Sequence, residues 1–112
     1  MPTVKVSANT TPQTLFTTPK HVKGKLIAVI VDNQSTSKKT IRIQDVFTPD
    51  STAGNPSPTT QTIDRVQLTV GAGLTATLDK LSLEGVEFLG TAQAIADATD
   101  TACVIIVVYR FE

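Results

Sequence analysis

The chain closes on "ACVIIVVYRF", residues 102–111, a run in which both alternating sets of side chains are apolar. Successive side chains of a strand point to opposite faces. Ala102, Val104, Ile106 and Val108 therefore share one side, and Cys103, Ile105, Val107, Tyr109 and Phe111 the other. A strand in a two-layer sandwich normally buries one face and wets the other, so this one demands cover on its second face. "LIAVIV", 26–31, makes the same demand, with Leu26, Ala28 and Ile30 opposite Ile27, Val29 and Val31. An uncovered face of this kind would be an unusual apolar patch for a soluble monomer. Covering it is worth several kcal/mol at roughly 25 cal/mol per Å², comparable to the whole stability of a small domain. The N-terminal or 85–98 segment could fold over it, the sheet could curl into a barrel, or another copy of the chain could pack there. The expectation taken forward is a second copy, on an interface of Ile27, Val29, Val31, Cys103, Ile105, Val107 and Tyr109.

The rest of the chain alternates in the ordinary way. "TVKVS" (3–7) and "PQTLFTT" (12–18) read as short strands, and "GKLIAVIVDN" (24–33) and "KKTIRIQDVF" (38–47) as long ones. The polar "QSTS" (34–37) between the long strands reads as a hairpin loop. "IDRVQLTV" (63–70) and "LTATLDK" (74–80) flank "GAG" (71–73), whose glycines suit a tight hairpin. The Ala-rich stretch within 85–98 fits a strand better than a helix of two turns, and 101–111 is the longest strand. The 112 residues imply one domain, 1–112, large enough to bury about two thirds of its unfolded surface. The fold class expected is all-β: a single antiparallel β-sandwich of seven to eight strands, jelly-roll or related Greek-key in topology. Residues 1–10 are expected as a flexible arm. Residues 48–62, "TPDSTAGNPSPTTQT", hold three prolines and no large apolar side chain. They are expected as a long surface loop, and loops of that length usually serve a purpose.

Chemistry is sparse. His21 is the only histidine and Cys103 the only cysteine, too few for a zinc site of four N/S ligands. No G-x-S-x-G, P-loop or dinucleotide fingerprint occurs, so no catalytic residue, cofactor or metal site is assigned and the chain reads as non-enzymatic. Asp32, Asp45, Asp50 and Asp64 could offer oxygens to calcium, but without EF-hand spacing they read as turn formers. Lys20, His21, Lys23 and Lys25 would form a basic patch if they met Lys38 and Lys39. Ten basic and ten acidic side chains cancel, however, and aromatic stacking partners are lacking there, which argues against nucleic acid. No run approaches the eighteen or so apolar residues of a membrane span. "MPTVKVSANT" has no apolar segment of signal-peptide length, so a protein made and kept in the cytoplasm, or exported by a route the sequence does not show, is expected.

In "MPTVKVSANTTPQTLF", "KLIAVIVDNQS…TIRIQDVF" and "CVIIVVYR" the chain resembles the small β-sandwich structural proteins of tailed-phage virions, capsid decoration (cement) proteins above all. That resemblance implies a homo-oligomer, often a trimer, in the virion, seated on the major capsid protein or another virion protein and stabilising the shell. Pro49, Asn55, Pro56 and Pro58 of the long loop are the expected assembly contacts. The alternative function is a glycan-binding module that uses the 48–62 loop as its site.

Overall fold

The computed structural model describes residues 2–112, and every described element is a β-strand. The strands are β1 Thr3–Ala8, β2 Gln13–Thr17, β3 Gly24–Asn33, β4 Lys39–Phe47, β5 Gln61–Val70, β6 Leu74–Leu78, β7 Glu87–Phe88, β8 Thr91–Ala96 and β9 Asp100–Phe111. They form two antiparallel sheets. Sheet A has the order β1-β9-β3-β6, with β7 paired to the other end of β3, and sheet B the order β2-β8-β4-β5. The Ala-rich segment is indeed a strand, β8. Nine strands stand where seven or eight are expected, because 85–98 divides into β7 and β8.

The route of the chain corrects the local turn readings. "QSTS" and "GAG" are not hairpin loops: each carries the chain from one sheet to the other. Strand patterns at two neighbouring segments cannot tell pairing within a sheet from stacking between sheets. Gly73 is left-handed (φ 72°), as the tight 71–74 turn requires. The one pair of long consecutive strands that does lie side by side is β4–β5, joined by the long loop 48–60. That loop is ordered by its own bonds. Thr48 and Thr60 hydroxyls meet at 2.9 Å across its base, and Thr52 and Asn55 exchange backbone hydrogen bonds at its tip. Gln61 and Thr62 already belong to β5. β1 matches the strand read over 3–7 and takes the place of the flexible arm expected over 1–10, as an edge strand on β9 from Thr3 to Ala8; Met1 lies outside the described residues.

The core lies between the sheets. Val29 and Val31 of β3 and Cys103, Ile105 and Val107 of β9 face Ile41 and Ile43 of β4 and Ala92, Ala94 and Ala96 of β8. The alanines leave room for the larger aliphatics opposite, which lets the two layers interdigitate. One end is filled by aromatic rings. Phe16 stacks on Tyr109 with centroids 4.4 Å apart and meets Phe88 edge-on at 5.5 Å, arrangements that suit the ring quadrupoles.

Candidate assembly surface

Five of the seven residues expected at an interface, Val29, Val31, Cys103, Ile105 and Val107, are fully buried between the two sheets. They are core, and the interface expectation on them is corrected. Tyr109 is partly buried against Phe16, inside the aromatic end. Ile27 alone points away from the core. The pairing of β3 with β9 shifts between Leu26 and Ala28, so Ile27 is an extra residue. Such a bulge reverses the alternation, which is why Leu26 is buried together with Val29 and Val31 although strict parity separates them. Ile27 lines a cleft of about 490 Å³ with Leu81, Leu83, Lys80 and Arg110.

The opposite set of side chains makes the outer face of sheet A. The register aligns Lys5, Ile106, Ile30 and Thr77 across four strands. One row along lie Ser7, Val104, Asp32 and Thr75, and one row the other way Thr3, Val108 and Ala28. Val104, Ile106, Val108, Ala28 and Ile30 thus form a continuous aliphatic strip, each residue partly exposed. Neither the N-terminal segment nor 85–98 lies over it, since both are paired in the sheets. Polar edge strands flank the strip. Thr3 and Lys5 on β1 are exposed, as are Thr75 and Thr77 on β6. The two-faced sequence signal therefore has one buried half and one half open to solvent.

The outer face of sheet B differs in kind. Gln93 donates to Gln44 at 2.9 Å, and Gln44 donates to Asp64 at 2.9 Å. Thr17 pairs with Thr91, and Thr40 with Thr69. Cross-strand polar pairs of this sort stabilise a wet surface.

Each end of the sandwich is tied by one buried polar side chain. At the aromatic end, Asp45 of β4 is fully buried. It accepts hydrogen bonds from Arg65 at 2.9 Å, from the backbone N–H of Leu89 at 2.9 Å and from that of Gly90 at 3.0 Å. Its oxygens are engaged by these donors, so it is a clamp rather than a cation ligand. The clamp pins the β7–β8 turn and holds Leu89, 51% exposed, outward. At the other end Asn33 donates to the carbonyls of Ser37, Val70 and Gly71 and accepts from the Ser35 backbone and hydroxyl. The buried Lys39 ammonium reaches Ser37 Oγ at 2.6 Å and lies 3.9 Å from Asp100.

The remaining candidates do not converge. Lys23 and Lys25 share the Glu87 carboxylate, at 3.0 and 2.7 Å. Lys25 first and Lys23 second hold that carboxyl below its usual range. Lys39 begins β4, with Lys38 just before it, at the opposite end of the sandwich, so no single basic patch forms. Among the described residues no three His, Cys, Asp or Glu side chains cluster as a metal site would need. Burial pushes the Cys103 thiol up. The thiolate is the reactive form, so Cys103 is expected to resist a disulfide reagent in native buffer and to react fully once urea unfolds the chain; timed absorbance of the released thiol checks this. His21 has a left-handed backbone (φ 69°), uncommon for a residue with a side chain. It lines a cleft of about 700 Å³ with Lys20, Phe47, Pro49, Asp50 and Leu89. Of the expected loop contacts, Asn55 and Pro56 are exposed and Pro49 and Pro58 partly so. Exposed Leu89 and the outer strip have no motif of their own; only the assembled sheets reveal them. No family model matches this chain, and no match to it is found among curated proteins or solved structures.

Proposed function

We propose that this protein is a non-enzymatic structural component of a larger assembly and that it associates with itself through the outer face of sheet A. The aliphatic strip on that face carries the reading, because partly exposed aliphatic side chains aligned over two central strands gain free energy from cover. The strand order β1-β9-β3-β6 over β2-β8-β4-β5 fits a jelly roll, two four-stranded sheets linked by Greek-key crossings, a sandwich used by viral capsid and lectin domains alike. A capsid decoration protein is the specific assembly role proposed, with the β4–β5 loop, including Pro49, Asn55, Pro56 and Pro58, as the arm that meets a capsid or other virion protein. Flat packing of one face on its own kind makes a twofold pair. A trimer would need a second, heterologous surface.

The face spans four strands about 4.8 Å apart and three rows about 6.8 Å apart, on the order of 400 Å² per copy. A standard interface covers about 800 Å² per partner, so the pair is expected to be weak and reversible without the rest of the assembly. Light scattering behind a sizing column is expected to show a mass that rises from monomer toward dimer between roughly 10 µM and 1 mM, the range in which weak contacts populate. A constant monomer mass across that range would sink self-association through this face. It would then favour the second reading, a glycan-binding module, for which the cleft beside Pro49 and Asp50 is the site.

A further inference from the structure

The two borders of the aliphatic strip carry opposite charge. On the β1 side the exposed Lys5 stands beside Ile106, and among the described residues no carboxylate lies within ion-pair distance of it. On the far side Asp32 of β3 pairs with Thr75, one row from Thr77, and Asp79 follows directly after the end of β6 at Leu78. Asp32 is held there by the Thr75 hydroxyl at 3.0 Å and the Gln34 amide. Asp79 accepts from the Ser82 backbone at 2.9 Å, and that bond keeps its carboxyl below the usual range.

We infer that the occupant of this face is a second copy of the chain, packed about a twofold axis that runs along the strands, so that the β1 border of each copy lies over the β6 border of the other. This rests on the self-association proposed above and specifies its geometry. A face packed on itself has two simple choices of axis. With the axis across the strands, β1 lies over β1, and Lys5 meets the Lys5 of the other copy. With the axis along the strands, β1 crosses to β6. Lys5 then stands over Thr77, with Asp32 one row away and Asp79 just past the end of β6. Sheets packed face to face lie about 10 Å apart, a gap that a lysine side chain reaches across. Like charges juxtaposed at an interface cost affinity and opposite charges set the register, so Lys5 selects the second axis; Lys25 and Arg110, which align at one end of the face, are each already paired within the chain, with Glu87 and Glu112. The aliphatic strip lies on the axis in both cases; only the borders tell the two apart.

Thr77 is the position that reports the axis, because it is exposed and makes no side-chain hydrogen bond among the described residues. Sedimentation equilibrium at low salt is the measurement, on the wild-type chain and on Thr77→Glu, Thr77→Lys, Lys5→Glu and the double variant Lys5→Glu/Thr77→Lys. With the axis along the strands, Thr77→Glu gains Lys5 as a partner and tightens the dimer about 3- to 10-fold, whereas Thr77→Lys and Lys5→Glu each weaken it by a similar factor. The double variant recovers wild-type affinity, and the differences shrink in ~0.5 M salt. A Thr77→Gln variant separates the effect of charge from any loss of strand preference. If the wild-type chain dimerises but Thr77→Glu leaves affinity unchanged or weakens it, the pairing direction is wrong while self-association stands. If Ile106→Asp leaves the dimer intact, the strip is not its interface. If the wild-type chain stays monomeric throughout, the pairing and the function that it rests on fall together.

Discussion

Asp45→Ala is expected to cost about 3–5 kcal/mol of unfolding free energy, the usual range for breaking a buried ion pair from one side. The carboxylate is completely enclosed and receives one guanidinium and two backbone N–H donors. Removing it leaves the Leu89 and Gly90 amides without acceptors at a site that water does not reach freely, and a lost partner for a buried donor costs roughly 1–3 kcal/mol by itself. The turn has no alternative seat. A Cβ at Gly90 would lie 2.1 Å from the Val46 carbonyl oxygen, so the backbone there approaches β4 as closely as glycine allows. Arg65→Met isolates the ion pair: it leaves the enclosed carboxylate with only its two amide donors and no counter-charge, so a loss of similar size, about 3–5 kcal/mol, is expected. Urea unfolding followed by circular dichroism measures both. A loss below ~1 kcal/mol for Asp45→Ala, the size of an ordinary hydrogen bond, would mean that the turn is held by packing and not by this clamp.

The second large effect lies at the opposite end. Asn33→Ala should lower stability by roughly 2–4 kcal/mol, since several buried partners lose their bond together. The Asn33 amide group serves three carbonyls, those of Ser37, Val70 and Gly71, and its oxygen serves Ser35 twice. It thereby fastens the β3–β4 crossing to the β5–β6 crossing, between the strand ends where Asn33 pairs with Leu74 and Lys39 with Val70. Hydrogen exchange is expected to rise in 34–38 and 71–73 while the centre of β9 stays protected. Unchanged protection in both loops, with stability near wild type, would show that the crossings hold without Asn33. Both clamps do for the sandwich what strand ladders cannot: they join the sheets at positions where the chain leaves one for the other.

Much of the strand content could be read directly. Alternation located β4 and β5 to within a few residues, because a period of two in Val, Ile and Thr matches the pleat of a strand and not the turn of a helix, and continuous β-branched runs located β3 and β9. The all-β class and the two-sheet architecture follow from the same pattern. Strand partnership was hidden. Gln34–Ser37 and Gly71–Gly73 have the composition of hairpin turns, yet both are crossings between sheets. Turn chemistry is local, whereas the choice between pairing and stacking is made by distant strands such as β8 and β9. The roles of Asp45 and Asn33 were hidden for the same reason. Each looks like a surface turn former in sequence, and each is buried by neighbours from elsewhere in the chain.

The two-faced strands mark the boundary between these kinds of information. Composition alone marked β3 and β9 as apolar on both faces and in need of cover, not their place side by side in the middle of sheet A. It could not say which of the two faces would turn inward. One extra residue, Ile27, reverses the alternation of β3, and a change of one position moves every later side chain to the other face. Only the tertiary register resolves that choice. It buries Val29, Val31, Cys103, Ile105 and Val107 against sheet B and leaves Ala28, Ile30, Val104, Ile106 and Val108 on the outer side, because the small alanines of β8 leave space for one set, while the segments that might have covered the other are themselves paired in the sheets.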